Sequence, residues 1–219
     1  MRAPGFDEAT ERVRRALGAR PRRTLEVPGF RPAAVLVALL DRPGGPSVLF
    51  TRRSQALEHH RGEISFPGGR LEPGEDAPAA ALREAHEEVG LAPAASEVLG
   101  LLDDLPSVAG YVVTPVAASV RAPPAAFTAA ADEVDEHFEL PLAQLLDPAL
   151  RRASLWDPAR LPERLATVVA RAAVPFEDVD PRTGHWRVWS FHADEARVVW
   201  GLTARILADL LDRAFAGRG

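Results

Sequence analysis

A chain of 219 residues with 47% apolar content is long enough for one domain with an extension or insertion, and rich enough for an ample core. Its net charge of −5 argues against a non-specific nucleic-acid binder, and the absence of cysteine excludes disulfides and thiol chemistry. No apolar run approaches the roughly 20 residues that cross a bilayer, and the N-terminus lacks the apolar stretch of a secretory signal, so a soluble cytoplasmic protein with neither membrane nor nucleic-acid partners is expected.

Residues 6–20 read as a short amphipathic helix with Phe6, Val13 and Leu17 on one face. The Pro- and Arg-rich stretch up to Pro28 reads as a linker, making 1–28 an arm and 29–219 a single domain. Ala33–Leu40 is a continuous apolar run of strand length, which predicts a strand buried on both faces. A Pro-Gly-Gly turn leads to a returning strand, Ser47–Arg52, and Ile64–Phe66 predicts a third strand feeding Pro67, Gly68 and Gly69. Val98–Leu105 and Tyr111–Val120 read as two further strands, and 121–131 as an exposed loop. A strand over Glu133–Leu140, a turn at Pro141 and a short helix over Leu142–Leu146 follow. Residues 147–184 read as an insertion with a helix over Pro162–Ala172. Trp186–Phe191 predicts a strand, and Val198–Ala216 a closing helix. Strands and helices in this order indicate an α/β fold with a mixed sheet covered on both faces.

The chemistry concentrates in Gly69–Leu91, GRLEPGEDAPAAALREAHEEVGL. Glu84, Glu87 and Glu88 stand at i, i+3 and i+4, which a helix places within roughly 100° of arc. Leu82, Ala85 and Val89, with Pro78 at the start, form the opposite apolar face. Asp76 suits the N-cap, Pro78 the first turn and Gly90 the helix end. Three carboxylates on one edge repel one another until a cation neutralises them, and the ion that suits hard oxygen donors is Mg²⁺ or Mn²⁺. Gly68 and Gly69 can adopt positive φ and bring backbone carbonyls close to a metal or a phosphate. A plain salt-bridged surface helix is the competing reading, disfavoured by the glycines directly before it.

Gly69, Glu75, Arg83, Glu84, Glu87, Glu88, Gly90 and Leu91 fall on the pattern G-x5-E-x7-R-E-U-x-E-E-x-G-U, U being a bulky apolar residue. The stretch resembles the Nudix box, with Ala85 as the one departure, at the first U. The resemblance implies an α/β/α sandwich with a mixed sheet between helices, and hydrolysis of phosphoric anhydrides with Mg²⁺ or Mn²⁺. It implies Glu84 and Glu88 as principal metal ligands, joined by Glu87 and the Gly69 carbonyl. Arg83 then orients a carboxylate by pairing with Glu75 or a box glutamate, and Glu133 or Glu136 is a candidate general base.

Upstream, Leu49, Thr51, Ser54, Gly62, Phe66, Pro67, Gly68 and Gly69 are similar to the signature of the coenzyme A pyrophosphatase branch. Glu58 stands where that branch carries a basic residue. Asp103-Asp104, the run Gly110–Pro115, Glu133-Val134 with Phe138, and Trp200–Ala204 resemble the same branch. This implies a coenzyme A-like substrate cleaved to adenosine 3′,5′-bisphosphate and 4′-phosphopantetheine, with Arg52, Arg53 or Arg61 contacting its 3′-phosphate. Another nucleoside diphosphate derivative (ADP-ribose, a dinucleotide or a damaged nucleoside triphosphate) stays open as substrate. A non-catalytic nucleotide-sensing module is the third reading, which the complete glutamate set opposes. Metal binding by the adjacent His59 and His60, and base stacking by Trp186, Trp189 or Trp200, are weaker expectations than surface placement and packing. The oligomeric state, a homodimer included, is left open.

Overall fold

The computed structural model describes residues 3–53, 62–128, 134–160, 179–180 and 182–216. The chain opens with helix α1 (Phe6–Gly18), then strands β1 (Arg31–Leu40), β2 (Ser47–Arg53), β3 (Ile64–Ser65) and β4 (Gly68–Arg70). Helix α2 (Ala77–Val89) follows, then β5 (Glu97–Leu101), β6 (Leu105–Pro106), β7 (Tyr111–Val120) and β8 (Val134–Pro141). Helix α3 (Leu142–Leu145), β9 (Arg151–Trp156), β10 (Trp186–His192), β11 (Val198–Trp200) and helix α4 (Gly201–Phe215) complete the described elements.

The main sheet has eight strands and is mixed. β1 and β7 pair in parallel over their whole length, from Arg31 opposite Tyr111 to Leu40 opposite Val120. A parallel pair needs a crossover, and α2 lies within it. The other edge of β1 is shared. β4 takes Ala33–Val35, β2 takes Leu39–Leu40, and the Leu36 amide between them donates to the Pro67 carbonyl. β2 also carries β3 and β8, while β5 and β6 line the far edge of β7. A second antiparallel sheet holds β9, β10 and β11 in the order β11-β10-β9.

Alternation along β1 divides the core in two. Ala34, Leu36, Ala38 and Leu40 pack with Leu49, Val116, Ala118 and Val120 under α2. Val37 and Leu39 face the other way, with Phe50, Phe66, Val13, Leu17, Leu207 and Leu211, under α1 and α4. Helices thus cover both faces of a mixed sheet, and the chain is an α/β protein. Phe50 stacks on Phe66 at 5.0 Å and on Phe138 at 5.6 Å, which anchors the segment that turns into β4. No helix among the described residues is long and apolar enough to cross a membrane.

Several elements depart from the sequence expectations. Gly68 and Gly69 lie in strand β4 and not in a turn, and Gly69 is absent from the glycines with positive φ. The expected strand Val98–Leu105 is two strands: the Leu102 amide still donates to the Pro115 carbonyl of β7, and Asp103 and Asp104 then turn to the 20–25 linker. In the 121–131 loop Phe127 is buried beside the end of α2, so the loop is not wholly exposed. The buried face of α2 is Ala80, Ala81, Ala85 and Val89; Leu82 is only half-buried. β9 was not anticipated, and Val198–Trp200 belong to β11 and not to the closing helix. The helix expected over 162–172 lies outside the described residues.

Candidate active site

The Asp76 carboxylate accepts from the Ala79 amide at 2.9 Å, Pro78 sits in the first turn of α2, and Gly90 ends the helix with φ of 71°. Ala80, Ala81 and Ala85 are fully buried, and small side chains there let the helix approach the sheet closely. That approach brings Glu84 and Glu88 onto β4. A Cβ placed on Gly69 would stand 2.3 Å from Glu84 Oε1 and 2.4 Å from its carboxyl carbon, so the carboxylate occupies the space a side chain would take. Gly69 is glycine for room, not for backbone conformation. Gly68 is hemmed by backbone: a Cβ there would lie 2.3 Å from the Ala34 carbonyl oxygen. The Gly68 amide donates to Glu88 Oε2 at 3.3 Å. Glu88 is only 5% exposed, a buried carboxylate aimed at the same strand.

Arg83 holds the cluster in place. Its Nε and one terminal nitrogen donate to the two oxygens of Glu75, each at 3.0 Å. The other terminal nitrogen donates to Glu84 Oε1 at 3.0 Å and Glu87 Oε2 at 3.1 Å. A further bond reaches the Arg70 carbonyl, tying helix to strand. The Arg83 hydrogen bonds, helped by the Glu72 amide, hold the Glu75 carboxyl below its ordinary range, and the bond to Glu75, followed by that to Glu84, pushes the Arg83 guanidinium up against the opposing effect of burial.

As the side chains lie, no three His, Asp or Glu groups among the described residues close around one point, since Glu84 and Glu87 both turn onto Arg83. The donor set nevertheless fits a hard cation. Glu84 and Glu87 already converge on a single positive nitrogen, Glu88 lies buried beside Gly68, and the space over Gly69 holds carboxylate oxygen. Glu87 is the most exposed of the three carboxylates, its side chain 57% exposed.

The other expected site residues are not gathered here. Arg52 lies on β2, where it donates to Glu136 at 3.0 Å and to the Ala196 carbonyl. Arg197 pairs with the same Glu136 at 2.7 Å. Arg197 first, then Arg52, holds Glu136 below the usual carboxylate range, which makes it a poor general base. Arg53 ends β2 opposite Val134, and its side chain lies outside the described residues, as do Arg61 and Glu133, and with them Ser54, Glu58, His59 and His60. Trp186, Trp189 and Trp200 lie on the second sheet, where the Arg151 guanidinium sits 3.9 Å over the Trp189 ring.

Two features escaped the sequence reading. Asp103 and Asp104 are staples. Asp103 takes bonds from Arg20, the Arg23 amide and Arg213, and Asp104 from Thr114, the Leu25 amide and Arg22. A cavity of about 20 Å³ beside them, lined by Asp103, Asp209, Arg205 and Arg213, has room for one water and lies apart from the α2 carboxylates. The second feature is Arg31 and Arg70 meeting on Tyr111, a contact set by the β1–β7 register and therefore invisible to spacing.

A model of the NUDIX domain matches residues 30–187. The chain belongs to the Nudix hydrolase family, and is an enzyme of the pyrophosphohydrolase class, whose members generally use divalent metal ions. Among its relatives is a protein of Escherichia coli strain K12 described as an uncharacterized Nudix hydrolase, NudL. It is 38% identical over 193 residues, covering 87% of this chain and 86% of the relative. The same protein from E. coli O7:K1 matches equally. A Nudix hydrolase of M. smegmatis, RenU, overlays 56% of this chain and 81% of its own with a TM-score of 0.46 at 25% identity. An Ap4A hydrolase binary complex from C. elegans overlays 51% and 80% with a TM-score of 0.44 at 23% identity. At these scores neither structure bears on what this chain binds.

Proposed function

We propose that this Nudix hydrolase splits the diphosphate of coenzyme A or an acyl derivative with Mg²⁺ or Mn²⁺, releasing adenosine 3′,5′-bisphosphate and 4′-phosphopantetheine. The observation that carries the hydrolytic reading is the placement of Glu84 and Glu88 against Gly68 and Gly69 under the grip of Arg83. Glu84, Glu88, Glu87 and the Gly69 carbonyl would hold the ion. A divalent ion there supplies acidified water and neutralises charge on phosphoryl oxygens. Arg83 keeps the carboxylates oriented through Glu75, touching no reacting atom itself. Glu88 is buried and, when ionised, offers only acceptor oxygens, the donor type a hard cation takes. Glu133, immediately before β8, is the base we assign, because Glu136 is already occupied by two guanidiniums.

The coenzyme A assignment is supported by the upstream segment. Of its signature positions, Leu49, Thr51 and Phe66 are buried, and Thr51 Oγ1 contacts the Ser65 hydroxyl at 3.2 Å. These positions therefore act by setting the shape of the strand pair that delivers Gly68 and Gly69. Arg52 is committed to Glu136, which leaves Arg53 and Arg61 as the arginines of that segment for substrate. Glu58, acidic where the branch is basic, favours a second reading: another nucleoside diphosphate derivative such as ADP-ribose. Incubation of the protein and Mg²⁺ with coenzyme A, ADP-ribose, NADH and diadenosine polyphosphates separates the two. Fastest turnover of coenzyme A is expected; ADP-ribose consumed with coenzyme A untouched rejects the substrate and keeps the reaction class.

A further inference from the structure

We infer that Arg31, Arg70 and Tyr111 form an anion-binding site for a phosphomonoester of the substrate, separate from the anhydride being split. The inference rests on the proposed reading that the substrate carries such a group. The three residues come from adjacent strands: Arg70 opposite Ala33 in the β4–β1 pair, and Arg31 opposite Tyr111 in the β1–β7 pair. The Tyr111 oxygen accepts from a terminal nitrogen of Arg31 at 2.8 Å and from Arg70 Nε at 2.7 Å. Both guanidiniums also stand over its ring, 4.7 and 5.5 Å from the centroid.

Like charges brought onto one phenol repel, and this pair has no carboxylate partner among the described residues. Other arginines differ: Arg22, Arg42, Arg52, Arg83, Arg197 and Arg213 each hold an acidic side chain. An external anion is what the pair lacks. The phenol accepts two donors, and its own proton finds no acceptor among the described residues, so it adds a third donor beside the two forks. Two planar forks and a hydroxyl converging on one place suit the tetrahedral oxygens and double charge of a phosphomonoester. Arg70 directly follows Gly69, so by strand alternation its side chain leaves the opposite face of the sheet from Glu84, and the Arg70 carbonyl, which accepts from Arg83, links this site to the acidic cluster through the backbone of β4. Backbone strands hold all three side chains, and the Ser107 hydroxyl fixes the Tyr111 amide at 3.1 Å.

Calorimetric titration of the metal-free protein with adenosine 3′,5′-bisphosphate and with AMP tests the site without turnover. The wild type is expected to bind the bisphosphate at least tenfold more tightly than AMP, and Arg31→Ala/Arg70→Ala to bind both alike at an unchanged thermal midpoint. Arg31→Lys/Arg70→Lys should recover part of the preference, since charge survives and the forks do not. Equal affinity of wild type for the two ligands, or an unaltered preference in the alanine pair, overturns the inference. Failure of coenzyme A turnover would instead reject the proposed substrate, a separate measurement.

Discussion

Arg83 and Glu88 carry the most chemistry per residue in this chain. Glu88→Gln keeps the size and the acceptor for the Gly68 amide but removes the charge, so kcat should fall by orders of magnitude while unfolding free energy moves by less than about 1 kcal/mol. Steady-state kinetics beside a urea titration read both. Near-normal kcat in that variant would remove Glu88 from the metal site. Asp103 and Asp209 make a second pair for comparison. Although burial opposes it, Asp103 is held well below the usual carboxylate range by Arg20, the Arg23 amide and Arg213. Burial instead pushes Asp209 up despite its bond to Arg213. A depressed native pKa means that the stability Asp103 contributes is complete above its unfolded value near 3.9 and drains as pH falls toward the native one. A raised one works the other way, so ionised Asp209 contributes little at neutral pH. Asp103→Asn should therefore cost about 2–4 kcal/mol at pH 7 and flatten the acid limb of the stability curve, against under about 1 kcal/mol for Asp209→Asn. Equal losses in the two variants would contradict this account.

At the scale of elements, α2 and β4 work as one unit. Asp76→Ala removes the cap bond to Ala79 and should cost about 1 kcal/mol, read as a lowered denaturation midpoint. The adjacent glycines should separate stability from activity. Gly69→Ala drives a methyl into the Glu84 carboxylate, which can shift, so folding survives and activity drops at least about tenfold. Gly68→Ala meets the backbone of Ala34 and Val35, which cannot shift cheaply, and should destabilise by about 1–3 kcal/mol. Thermal melts and specific activity on both variants check the contrast. The helix, its cap, its Gly90 end and its acid spacing were legible because all are local rules. That Gly68 and Gly69 form a strand was not, because β4 exists only through its pairing with Ala33–Val35 of β1. Asp103 and Asp104 likewise read as strand by their place in the run, and their partners in the linker take them off the ladder.

At the scale of the molecule, α1 packs on α4 and on β5, with Leu17 set against Gly100, where an added Cβ would stand 2.9 Å from the Leu17 side chain. The N-terminal helix is thus bound into the larger of the two cores. Leu17→Ala should cost about 2–5 kcal/mol in global unfolding measured by urea, as a core truncation does; a loss below about 0.5 kcal/mol would show α1 to be a loose arm. The linker is stapled too, by Arg20, Arg22 and Arg23 to the two aspartates before β6. Asp103-Asp104, part of the coenzyme A branch likeness, turns out to hold chain together, whereas Tyr111 from the neighbouring piece stands in the arginine cluster.

Periodicity, caps and the spacing of acidic residues along one helix pointed to the α/β class and to the residues of the acidic cluster, and the resemblance to the Nudix box pointed to the family, since each reads off a short stretch of the chain. Long-range register decided the rest. Which arginines are committed to carboxylates and which are left with positive charge depends on strands far apart in sequence lying side by side. That is why Arg52 appeared available when it is paired with Glu136 and Arg197 holds the same carboxylate, and why the meeting of Arg31 and Arg70 on Tyr111 was not visible until β4, β1 and β7 were aligned.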